Sequence, residues 1–118
     1  MKVSHFEQVP AQPVEVEGAT GCCVRWLISK TDGAPNFAMR VFELSAGGST
    51  PKHQHAHEHE VFVLEGEGVV VENETEHVLK PGYFVYVEPG VLHQFRNTGN
   101  GVMRLLCMIP NSGDTRPV

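Results

Sequence analysis

The sequence is short of positive charge, of cysteine and of long apolar runs, and each shortage removes a class of function. Nine Lys and Arg stand against fourteen Asp and Glu, for a net charge of −5. A nucleic-acid partner needs a basic stripe to meet its phosphates, so none is expected. No apolar run approaches the roughly 20 residues of a membrane span, and Met1–Pro10 lacks the apolar block of a signal peptide. Of three cysteines, Cys22 and Cys23 are adjacent and Cys107 is isolated. With no CxxC pair, the pattern predicts reduced thiols and a cytoplasmic setting. Also missing are a Ser-x-Gly elbow, a phosphate-binding glycine loop, paired carboxylates in a pocket-like context, and any helical stripe at i, i+3, i+4, i+7. At 118 residues the chain is one domain over 1–118, with 1–20 predicted as an extended N-terminal arm and 110–118 as a loose tail.

Turn signals are abundant. They recur about every ten residues, at Gly18/Gly21, Asp32–Asn36, Gly47-Gly48, Gly66–Gly68, Asn73-Glu74, Pro81-Gly82, Pro89-Gly90, Asn97–Gly101 and Pro110. Between them lie runs rich in Val, Phe, Tyr and Leu: Cys23–Ser29, Phe37–Leu44, Val61–Leu64, Val69–Glu72, Tyr83–Val87, Val91–Arg96 and Val102–Ile109. Their length and composition are those of strands, and Val14–Glu17 adds a possible edge strand. The spacing predicts an all-β protein, an antiparallel barrel or a double-sheet jelly roll.

Seven histidines are many for this length, and four of them, His53, His55, His57 and His59, alternate within seven residues. On a strand, alternate residues share a face at about 6.6 Å per step. All four rings would therefore point one way, and Gln54, Glu58 and Glu60 the other. Imidazole is the commonest biological metal ligand. A straight strand separates its end members by about 20 Å, so further ligands must arrive after a bend or from another strand. His93 follows the tight turn Glu88-Pro89-Gly90 and is the second source. Four clustered histidines can also be a solvated face, but the apolar run Val61–Leu64 that follows favours a buried site.

These residues resemble the two motifs of the cupin family. Gly47, five residues, His53-Gln54-His55, three residues, His59, six residues and Gly66 follow the first motif. Gly90, two residues, His93, three residues and Asn97 follow the second, except that Glu88 holds the family's Pro position and Pro89 is shifted by one. The resemblance spans Gly47–Asn97 and implies a cupin jelly-roll β-barrel with a metal site in its mouth. Where the family usually has a carboxylate, this register places His59. Parity puts His59 with His53 and His55, while a local bulge would recruit Glu60 instead. The preferred ligand set is His53, His55, His59 and His93, with His57 as a rim residue. With Ala34–Arg40, this resembles the small four-histidine cupins described as manganese proteins, and so implies Mn first and Fe next. Affinity order alone would admit Zn, Ni or Cu.

Such a site leaves two positions open on an octahedral ion, room for a chelating substrate or for substrate and dioxygen. The expected function is therefore a metal-dependent, dioxygenase-like oxidoreductase acting on a small organic molecule. The alternatives are a metal-dependent binding or sensing module and a metal-assisted isomerase or lyase. Phe95, two residues past His93, should face the pocket. Arg40 is the only cation in the run Phe37–Phe42, either a pocket group that anchors a carboxylate or an edge residue. The resemblance adds Leu105 and Cys107 to the pocket wall. An exposed arm carrying Val14 and Val16 predicts a homodimer by arm exchange.

Overall fold

The computed structural model describes residues 1–117. Nine strands follow in order: β1 Gln12–Pro13, β2 Thr20–Ile28, β3 Phe37–Ser49, β4 His59–Glu65, β5 Gly68–Glu72, β6 Thr75–Leu79, β7 Phe84–Val87, β8 His93–Asn97 and β9 Met103–Pro110. Every pairing is antiparallel. The main path runs β6-β5-β8-β3-β9-β4-β7, with β2 on the other flank of β3 and β1 on β2. This is the expected all-β fold, one antiparallel sheet curled around a core. Among the described residues no helix is long and apolar enough to cross a membrane.

The curl follows from two-residue periodicity. Along β9, Met103, Leu105, Cys107 and Ile109 are buried while the residues between them are half-buried. β4 does the same with His59, Val61 and Val63 inside and Glu60, Phe62 and Leu64 outside. Removing one apolar face from water at about 1.5–3 kcal/mol per large side chain drives the sheet to close on itself. Closure depends on β3, which lies between β2 and β9 over its first half and then bends so that Ser49 pairs with Arg96 of β8.

That bend corrects one expectation. Gly47-Gly48 does not end the strand but forms a bulge within it, where Leu44 pairs with Cys22 and Ser49 with Thr20. Gly47 has φ 76°, and a Cβ on Gly48 would stand 2.8 Å from the carbonyl oxygens of Gly21 and Ser45, so the bulge needs glycine. A second difference is β6, which lies between the Asn73-Glu74 and Pro81-Gly82 turn signals, where no strand was expected. It is an edge strand with four exposed residues and only Leu79 buried, so it lacks the apolar signal. The edge strand expected at Val14–Glu17 lies earlier, at Gln12–Pro13, although Val14 N–H still donates to Cys22 O at 2.9 Å.

Both termini are more structured than an extended arm and a loose tail. Phe6–Gln8 form a 3-10 turn capped by His5, and the Arg25 guanidinium holds the chain there by donating to Val9 O at 2.6 Å. After Pro110, residues Asn111–Gly113 form another 3-10 turn. Asn111 donates to Ala34 O at 2.7 Å and Lys30 to Asp114 O at 2.8 Å, so the tail returns across the barrel mouth. Val118 lies outside the described residues. All three cysteines are free.

Candidate metal centre

The histidine segment is not the continuous strand its alternation suggests. His53 makes one isolated bridge to His93, the chain bends at Ala56-His57, and β4 begins only at His59. The bend matters, because it gathers rings that a straight strand would spread apart. The His53 N–H donates to His93 O at 3.1 Å and the His93 N–H to His53 O at 2.9 Å, which locks the loop against the start of β8. One ligand-capable nitrogen from each of His53, His55, His59 and His93 falls within 4.8 Å of the other three.

Hydrogen bonds decide which nitrogens face inward. His55 Nδ1 lies 2.8 Å from His57 O, and His93 Nδ1 lies 2.8 Å from Val91 O. A carbonyl can only accept, so both Nδ1 atoms carry a proton, the tautomer that in a neutral ring leaves the lone pair on Nε2. His55 Nε2 and His59 Nε2 stand 2.7 Å apart, two ring nitrogens aimed at one point. Burial, then the charge of Arg40, pushes the His59 imidazole down to about 2. Burial and His93 push His53 to about 4, and burial lowers His93 as well. These three rings are uncharged at neutral pH and compete little with a cation for their lone pairs. The donor set fits a divalent transition metal.

Of the other candidates, His57 stacks on His55 at 3.7 Å with parallel planes and gives its carbonyl, not its ring, to the cluster. Glu60 does not join the cluster. It is exposed on the outer face, beside Glu58, Met108 and Pro110. His77 pairs with Glu72 on the hairpin surface at 3.0 Å.

A cavity of about 400 Å³ opens above the rings. Its wall includes His53, His59 and His93, together with all four residues singled out in sequence for the pocket, Arg40, Phe95, Leu105 and Cys107. Cys107 Sγ links two of the groups, at 3.2 Å from His59 Nδ1 and 3.1 Å from Arg40 Nη2. Burial raises the Cys107 thiol above its ordinary range, so it acts as a small polarisable wall group. Among the lining residues that were missed are Trp26, Phe42 and Arg116. Phe42 had a usable signal, since it shares the parity of Arg40 on β3, whereas no residue of β2 had been assigned to the pocket to give Trp26 a face. Arg116 had none, because its place depends on how the tail folds back.

A family model described as "Cupin domain" matches residues 40–109. The chain is 34% identical over 68 residues to an oxalate-binding protein of Thermotoga maritima, covering 57% of this chain and 56% of that one. It is 31% identical over 62 residues to an uncharacterized protein of Methanocaldococcus jannaschii, covering 52% and 50%. The chain thus spans about half the length of these curated relatives. Among solved structures, the polyketide cyclase RemF from Streptomyces resistomycificus superposes with TM-score 0.88 at 35% identity, over 94% of this chain and 80% of that one. A predicted oxalate decarboxylase of Thermotoga maritima, at 24% identity and TM-score 0.83 over 92% and 98% of the two chains, shares the fold.

Proposed function

This chain belongs to the cupin family, and on that premise we propose that it is a metal-dependent enzyme acting on a small, oxygen-rich organic molecule. His53, His55, His59 and His93 are its ligand set in this reading. The observation that carries it is the convergence of four ring nitrogens within 4.8 Å beside a cavity of about 400 Å³. A bound divalent ion would supply Lewis acidity with its full charge, because no carboxylate joins the donors. Manganese is the first candidate and iron the second; the affinity order keeps zinc, nickel and copper in play.

Carbonyl activation is the reaction class best supported. A polyketide is a chain of alternating carbonyl groups, and the likeness to a polyketide cyclase extends over 94% of this chain. A 1,3-dicarbonyl would offer two oxygen atoms to an ion held by these four histidines. The cavity wall of Phe42, Phe95 and Leu105 would exclude water from the reacting carbons. Dioxygenase-like oxidation is the second reading, favoured by the same four histidines and apolar wall.

The deciding test is turnover of a panel of 1,3-diketones by protein loaded with Mn, Fe or Zn, in air and under strict anaerobiosis. Equal rates in both atmospheres are expected. Oxygen consumption matched to product would move the assignment to the oxidoreductase. Tight binding of the panel without turnover would make the protein a binding module. We also take the protein to be a homodimer built on its arm, where Val16 stands exposed; a monomer mass by light scattering would refute that.

A further inference from the structure

Two guanidinium groups flank the Trp26 ring at the cavity, Arg116 at 3.5 Å and Arg40 at 5.1 Å from its centroid. Their surroundings differ. Arg116 is neutralised by Asp114 through two bonds of 2.9 and 2.8 Å. Arg40 is 8% exposed, and no carboxylate of the described residues pairs with it. Its Nη2 touches only the Cys107 sulfur, a weak acceptor, and its buried Nε has no partner at all. The rest of the cavity adds uncharged histidines and one acid, Glu15, which is exposed in the arm.

An unpaired buried charge costs several kcal/mol, so proteins rarely keep one without a counter-charge. We propose that the counter-charge of Arg40 comes from the ligand. Arg40 is the anion-binding arm of the cavity, and the ligand is a small organic acid whose carboxylate takes the guanidinium while its other oxygen atoms would reach an ion held by the histidine nitrogens. The geometry suits that role. The guanidinium also lies 4.7 Å from the Phe42 ring, and contact with two aromatic rings holds it in place before a ligand arrives. The sulfur of Cys107 touches both Arg40 and His59, so a ligand a few atoms long spans both groups. Only the second half of this assignment rests on the metal-site reading; the charge argument holds without an ion.

Salicylate and its uncharged isostere salicylamide separate the two halves, titrated by calorimetry into metal-free and metal-loaded protein. The metal-free protein is expected to bind salicylate about tenfold more tightly, the value of a charge-assisted bond. Arg40→Gln should abolish that preference with the metal content unchanged, and Arg40→Lys should keep part of it. In the unmodified protein, the Arg40 Nε–H resonance should move with salicylate and stay still with salicylamide, a readout independent of how the variants fold. Equal binding of the two probes, binding of neither, a preference that survives in Arg40→Gln, or an unmoved resonance would each overturn the proposal. A preference that persists in protein unable to take up any metal would uphold Arg40 and defeat the metal reading alone.

Discussion

The two faces of β3 treat charge in opposite ways. On the outside, Glu43 takes the Arg25 guanidinium at 2.8 Å and Arg104 at 2.6 Å, and Arg104 reaches on to Glu65. Phe6 from the N-terminal turn covers both guanidiniums, at 5.7 and 5.6 Å. Burial alone would raise the Glu43 carboxyl, but the two arginines outweigh it and hold the group below its ordinary range. On the inside, Arg40 has an aromatic cage and a thiol but no acid. Outer charges are paired with one another and serve the fold. The inner cation is left open at some cost to stability, which is how sites that must accept a partner differ from those that need none.

Substitutions can break this contrast. The largest effect is expected inside: His59→Ala removes a donor and should weaken metal uptake by more than about a hundredfold, beyond the usual cost of losing a mere supporting contact. Elemental analysis after dialysis would read it, and full metal retention would refute the ligand set. Outside, Glu43→Ala leaves two half-buried guanidiniums facing each other and should lower stability in urea by about 2–3 kcal/mol, with metal content untouched. Arg40→Met should act in the opposite sense and raise the ligand-free stability by about 1 kcal/mol, because it removes a buried charge without stranding a partner. A fall in its urea midpoint would mean that Arg40 is balanced inside the fold after all.

Acid titration sharpens the same contrast most gently. Histidine in the unfolded chain takes up a proton near pH 6.5, whereas in the folded metal-free protein His53 does so only near 4 and His59 near 2. Between those values the unfolded state binds more protons, so stability must fall as the pH drops from about 6.5. Glu43 contributes only at lower pH, through its ordinary range and below. Urea midpoints that stay flat from pH 7 to about 5 would contradict the buried, neutral rings.

Much of this was legible in the chain. The strands with a buried face announced themselves by alternation, and His59 shares the buried parity of Val61 and Val63. Its sequence did not reveal how the rings meet, because alternation continues in letters through a segment that bends in space. β6 was invisible because an edge strand needs only one buried side chain. Arg40 stood out as a lone cation in an apolar run, but the want of a partner is a property of three-dimensional neighbours. Asn97 carried a different lesson. It completes the second motif, yet it sits away from the cluster and ties the β3 bulge to the following turn, donating to Leu44 O, Ser45 O and Gly101 O. Part of what looks like a site signature is architecture.

The bridge between His53 and His93 has a consequence for how the molecule comes into being. Four strands intervene between the two residues along the chain, so their meeting is among the high-separation contacts that slow the folding of β proteins. No hairpin or early nucleus can contain the complete set of rings. Metal uptake during refolding should therefore lag behind hairpin formation and report molecules in which this distant contact has closed.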